Sequence, residues 1–418
     1  MNLKAILAFL VLHSCAAFSF AQIDGTYTGS LDINGQKLKL IFTIERGKDG
    51  STSGELDVPA QGAKEVPLSI LANTAGEFIV DIPSINAKYA GKTFGTDSVN
   101  GTFTQMGYSL PLSLKKTVSV KSAVRPQTPV PPFPYKSVDV TFPGKDKGVT
   151  LAGTLSYPEG CCDGSSKPEV VVMVTGSGGQ NRDEEILEHK PFAVIADYLA
   201  RHGIASLRYD DRGVGESTSL EPVDKMTTLD VASDAEAALA YVRQLGEFGK
   251  VGILGHSEGG MVAFMLGAKS LPDFIVAMAA PGVRGDKVVM DQFNYQSEQI
   301  GNAQRMTRKE DVARMFGQKG NAWMDYFLTY DPSEDIKRTT VPVFALNGEL
   351  DKQVFFPENL NAIEADLPKN KKNFVKSYPG LNHLFQHAET GAPTEYYEIE
   401  ETISPVVLSD IVTWIKGL

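Results

Sequence analysis

Val251-Gly252-Ile253-Leu254-Gly255-His256-Ser257-Glu258-Gly259-Gly260 joins an apolar run to a serine flanked by glycines. The run carries a buried-strand signal, and the glycines let the chain turn sharply enough to lift a hydroxyl off the strand end. This is the layout of a nucleophile elbow, in which serine gains reactivity from a histidine base and nearby backbone N–H donors. The G-x-S-x-G letters alone are weak evidence. With 39 glycines in 418 residues, chance supplies them in roughly a quarter of such chains, and an ordinary strand-to-helix turn would read the same.

Working outward, strands and helices alternate. Strands are expected over Val138 to Phe142, Val149 to Tyr157, Val170 to Val174, Ala205 to Tyr209, Val251 to Leu254, Phe274 to Met278, Val341 to Leu346 and Phe374 to Tyr378. Helices are expected over Pro191 to Arg201, Thr228 to Leu245, Gly260 to Ala268, Pro357 to Leu367 and Pro405 to Ile415. After an antiparallel opening pair, this alternation implies an α/β class with a mostly parallel sheet covered on both faces. Sites in such sheets form at the carboxyl ends of strands.

Three further segments fall at those ends. Asn347-Gly348-Glu349-Leu350-Asp351 supplies an acid, and Gly380-Leu381-Asn382-His383 supplies a base. His383 would take the Ser257 proton and return it to the leaving group, while Asp351 would fix the imidazole tautomer. Glu349 and His387 are the rivals for these two roles. Thr175-Gly176-Ser177-Gly178-Gly179-Gln180 could aim backbone N–H groups at a reacting carbonyl oxygen. The amides of Ser177 and Glu258 are the expected oxyanion hole. A phosphate-cradling loop is the other reading, but no Gly-Lys-Ser/Thr follows. The charges of Asp210-Asp211-Arg212-Gly213 read as loop braces. No H-E-x-x-H or spaced Cys/His set occurs, so neither metal nor cofactor is required.

These segments, with Gln180-Asn181-Arg182-Asp183, carry a resemblance. Residues 138 to 418 resemble the α/β-hydrolase superfamily, and the whole layout is similar to secreted bacterial two-domain carboxylesterases, whose relatives include peptidase-like serine hydrolases. The resemblance implies hydrolysis of carboxylic esters through an acyl-serine intermediate. One departure stands out. Many superfamily members carry His-Gly where this chain has Thr175-Gly176, which leaves the oxyanion donor open between Ser177 and Gly178. An exported serine peptidase of aminopeptidase or acyl-peptidase type is an alternative. A non-catalytic surface or carbohydrate-binding protein is another.

About sixty residues separate the strands ending at Met278 and beginning at Val341, too many for a simple connection. Val289, Met290, Phe293, Phe316, Trp323 and Phe327 there suggest a helical cap over about 281–340, with an apolar wall suited to acyl groups of small to medium size.

Ahead of the catalytic half, residues 22–120 read as short strands with glycine turns, including a tight hairpin at Asn34-Gly35. The prolines from Arg125 to Pro134 suggest an extended linker over 121–136, with the catalytic domain at 137–418. Residues 1–21 read as a secretory signal peptide ending at Ser19-Phe20-Ala21, which implies a periplasmic or extracellular protein. Lipid attachment at Cys15 is a lesser alternative. Cys161 and Cys162 are adjacent, so a bridge between them would be strained. A net charge of −11 argues against nucleic acid and anionic membranes as partners, leaving a small ester as the expected one. No later apolar run is long enough for a transmembrane helix. Oligomeric state is not legible.

Overall fold

The computed structural model describes residues 22–33, 36–105, 107–118, 123–159, 161, 167–299, 301, 304–317 and 321–418. The leader with Cys15, the Asn34-Gly35 turn and Cys162 lie outside the described residues. The described residues within 1–32, 37–58 and 63–120 form one compact unit, and those within 33–36, 59–62 and 121–418 form the other.

The first unit is a single antiparallel sheet. Its strands are β1 (Gly25–Ile33), β2 (Gln36–Arg46), β3 (Thr52–Val58), β4 (Ala63–Pro67), β5 (Ser69–Asn73), β6 (Phe78–Ile82), β7 (Ala87–Phe94), β8 (Ser98–Gln105) and β9 (Tyr108–Thr117). They lie in the order β4-β3-β2-β1-β9-β8-β7-β6-β5. Period-2 alternation drives one face inward, as in β6, where Phe78, Val80 and Ile82 are buried. Tyr27, Phe42, Leu56 and Tyr89 complete that face. The Tyr89 hydroxyl is satisfied by the carbonyls of Val99 at 3.2 Å and Leu112 at 3.1 Å. Not every strand was foreseeable. The β4 strand carries Pro67 and pairs with β3 across a register shift, both of which blunt an alternation signal.

The second unit is layered. Its strands are β10 (Lys136–Pro143), β11 (Thr150–Tyr157), β12 (Val170–Val174), β13 (Ala205–Tyr209), β14 (Val251–His256), β15 (Ile275–Met278), β16 (Val343–Gly348) and β17 (Phe374–Tyr378). The order is β10-β11-β13-β12-β14-β15-β16-β17. The β10 and β11 strands pair antiparallel, and from β13 onward the sheet is parallel. The helices are α1 (Pro191–Arg201), α2 (Thr228–Leu245), α3 (Glu258–Gly267), α4 (Gly285–Gln299), α5 (Lys309–Phe316), α6 (Ala322–Thr329), α7 (Ser333–Arg338), α8 (Glu358–Asp366) and α9 (Pro405–Lys416).

The continuous apolar run in β12 is explained by its two covered faces. Val170, Val172 and Val174 pack with Ala235, Leu239 and Val262 of α2 and α3. Val171 and Met173 turn the other way, against Phe192 and Ile195 of α1 and Val407 and Ile411 of α9. Between β15 and β16, helices α4 to α7 form the insertion. Val288, Val289, Val312 and Phe327 build its small core around Met261 of α3.

The proline-rich stretch differs from a free spacer. The Arg125 guanidinium donates to the carbonyls of Leu187, Tyr397 and Ile399 at 2.9, 2.7 and 3.0 Å. Gln127 Oε1 accepts from the amides of Thr402 and Ile403. Proline content sets backbone stiffness, but these two polar side chains pin the segment along the second unit.

Candidate active site

The elbow is built by sterics. Ser257 sits between β14 and α3 at φ 55°, ψ −119°, a conformation that costs a non-glycine residue about 1–3 kcal/mol. Its amide bonds Met278 O at 2.9 Å, continuing the sheet pairing one residue beyond the strand. Both flanking glycines are obligatory. A Cβ on Gly255 would lie 2.0 Å from the Gly259 carbonyl oxygen, and one on Gly259 would lie 2.2 Å from that of Val174.

The acid and base meet at the neighbouring strand ends. Leu350 N–H donates to Leu381 O at 2.9 Å, tying the loop after β16 to the loop after β17. Asp351 Oδ2 then lies 2.7 Å from His383 Nδ1, with both side chains almost wholly buried. Asp351 Oδ1 accepts from the amides of Gln353 at 2.7 Å and Val354 at 2.8 Å. The carboxylate is thereby held on both oxygens, and it fixes the proton of His383 on Nδ1. Ser257 and His383 border one cavity of about 340 Å³. The rivals are placed elsewhere. Glu349 accepts from Ser377 Oγ at 2.8 Å, and His387, mostly exposed, pairs with Glu401 at 2.8 Å.

The loop after β12 passes beside the nucleophile, since a Cβ on Gly176 would lie 3.3 Å from Ser257 Cβ. The Gly176 amide is already engaged, donating to Glu184 Oε1 at 2.8 Å. Ser177, next in the chain, borders the cavity. Glu258 N–H opens α3, where the positive end of a helix dipole faces the elbow. Asp211 braces the loop by accepting from Thr175 Oγ1 at 3.0 Å and Gln180 N–H at 2.8 Å. Burial pushes its carboxyl up to about 8. Asp210 accepts from the Arg182 amide at 2.7 Å, and Arg212 bonds Asp146, Asp230 and Asp234.

Two residues of this region, His256 and Glu184, escaped the sequence reading. His256, the variable letter of the pentapeptide, is buried between Glu184 Oε1 and His383 O, each 3.0 Å from a ring nitrogen. Only its place inside the motif hinted at it. The Glu258 side chain is also committed, accepting from Thr228 Oγ1 at 2.5 Å and from Trp323 Nε1 of α6 at 3.0 and 2.9 Å. It is thus unavailable to hold a substrate amine. Val289, Phe293, Phe316 and Phe327 of the insertion wall the cavity. Among the described residues no group of three or more His, Cys, Asp or Glu could hold a metal ion.

The second unit has the α/β-hydrolase fold, on its sheet order, its elbow and the match of residues 169–300 to the alpha/beta hydrolase fold family. Esterase EstD of Thermotoga maritima is 29% identical over 299 residues, covering 68% of each chain. Among solved structures, Est1E from Butyrivibrio proteoclasticus aligns at 15% identity and a TM-score of 0.44, over 66% of this chain and 98% of its own. An esterase of Pyrococcus furiosus aligns at 16% and 0.46, over 71% and 99%. A proline iminopeptidase of Mycobacterium smegmatis aligns at 14% and 0.45, over 67% and 98%.

Proposed function

We propose that this chain is a serine carboxylesterase that cleaves esters of small to medium acyl chains through an acyl-serine intermediate. The observation that carries the reading is the buried 2.7 Å contact of Asp351 with His383, whose ring borders the same cavity as a strained Ser257. In the proposed mechanism His383 Nε2 takes the Ser257 proton as Oγ attacks the ester carbonyl. The oxyanion is received by the amides of Ser177 and Glu258. His383 then protonates the leaving alcohol, and a water repeats the sequence to release the acid. The similarity to an esterase and the apolar cavity wall support an ester over a charged substrate. The commitment of Glu258 to Trp323 removes the nearest acid that an exopeptidase would turn toward a free amine.

Labelling with a fluorophosphonate tests the nucleophile, with Ser257→Ala as control. Wild type should label and the variant should not; equal labelling, or none in either, sinks the proposal. Turnover of p-nitrophenyl butyrate should exceed that of aminoacyl p-nitroanilides, and the reverse would make the enzyme a peptidase. The reading includes export through residues 1–21. A product retained in the cell at full-length mass would contradict that part.

A further inference from the structure

Behind the Asp351–His383 pair lies a second carboxylate–imidazole pair, Glu184–His256, with the two rings 4.8 Å apart. His256 Nε2 faces the carbonyl oxygen of His383, which can only accept, so that nitrogen carries a proton. Nδ1 faces Glu184 Oε1, which already accepts the Gly176 amide. Both nitrogens therefore face acceptors, the arrangement of an imidazolium beside a carboxylate. Burial alone would strip the ring of its charge, but the Glu184 carboxylate more than offsets this and raises the His256 pKa. Glu184 acts through one oxygen. Oε2 is buried without a partner, so its charge is met through Oε1 alone. Its backbone holds that position at φ 51°.

We propose that Glu184 and His256 are a positioning pair that locks the oxyanion loop and the base loop in register with each other. One carboxylate oxygen restrains Gly176, one residue before the expected oxyanion donor Ser177. Through the ring it also restrains the main chain of His383. Neither residue touches the reacting atoms. The inference rests on the serine-hydrolase reading, because it concerns the alignment of that reading's parts.

Chemistry makes a neutral replacement specifically defective. In Glu184→Gln the amide oxygen can accept from Gly176 and from His256, but a neutral ring has only one proton to offer. Either His383 O loses its donor, or the glutamine turns its NH₂ toward the ring and Gly176 loses its acceptor.

The test uses the full chain. Wild type must first label with a fluorophosphonate, and if it does not, the underlying reading fails rather than this one. Given labelling, Glu184→Gln should lower kcat by about 10- to 100-fold with KM within about twofold. Binding of a trifluoromethyl-ketone analogue of the tetrahedral intermediate should weaken in parallel. Glu184→Gln/His256→Phe should be no worse than the poorer single variant, because the two residues act as a unit. A kcat within twofold of wild type, a KM that rises as kcat falls, or additive losses overturns the proposal. If the variants fail to fold, the wild type still decides. Its ¹⁵N-histidine NMR spectrum should show His256 with both ring nitrogens protonated near neutral pH, and a neutral tautomer overturns the pair.

Discussion

The two sheets of this molecule put polar groups in opposite places. In the antiparallel sheet of the first unit, alternation sends apolar side chains to one face and polar ones to the other. Its buried polar groups, such as the Tyr89 hydroxyl, are closed off by backbone carbonyls. The parallel sheet of the second unit is buried on both faces, so chemistry cannot sit on its strands. The proposed triad stands at their carboxyl ends, with Ser257, Asp351 and His383 beyond β14, β16 and β17. Reactive geometry follows from topology more than from composition, because loops at one sheet edge converge whatever their separation in sequence.

The largest expected effect breaks the comparison at the strand ends. Asp351→Asn keeps the size of the side chain but no longer fixes the His383 tautomer, so kcat/KM should fall by on the order of 10³–10⁴-fold. Steady-state kinetics on p-nitrophenyl butyrate measure this. A loss below tenfold would remove Asp351 from the mechanism.

Next comes the packing that creates the elbow. Gly259→Ala would drive a methyl into the Val174 carbonyl, 2.2 Å from its ideal position, and should cost more than about 3 kcal/mol. Chemical denaturation reads the loss. A stable, active variant would show that the turn relaxes freely.

Stability of the second unit should also depend on pH. The raised His256 contributes stability that is complete below its unfolded value of about 6.5 and lost as pH rises through its folded value. It faces Glu184 and the His383 carbonyl, and the Asp351 charge also acts on it. Asp211, raised to about 8 chiefly by burial, acts in the same direction, because the folded state holds its proton more tightly. Thermal melts should therefore fall in Tm from about pH 5 to about pH 8. Asp211→Asn, which cannot ionise, should flatten the decline. A Tm that climbs across that range contradicts both assignments.

The smallest effect lies in the other sheet. Tyr89→Phe removes the one hydroxyl proton shared between the Val99 and Leu112 carbonyls and should cost about 1 kcal/mol, with kcat/KM unchanged. A matching loss of activity would make the first unit part of the catalytic apparatus.

Much of the fold was legible along the chain. Pro191–Arg201, Thr228–Leu245 and Phe374–Tyr378 stand where their periodicity and end signals put them. The elbow strand ran two residues further than its apolar letters, because pairing continues through Gly255 and His256 to Ser257. Order along the chain could not separate Asp351 from Glu349, or His383 from His387, since neighbours two or four residues apart share every local signal. The loop conformations separated them.

The sequence by itself determined the layer architecture and the obligatory turn around Ser257, because both rest on local physics: hydrophobic period, glycine sterics and the short reach of a backbone turn. Only the tertiary structure decided that Asp351 faces His383 and that Glu184, seventy-two residues before His256, shares one buried oxygen with it and with Gly176. Such contacts depend on distances through space between loops, and no spacing along a chain encodes those distances.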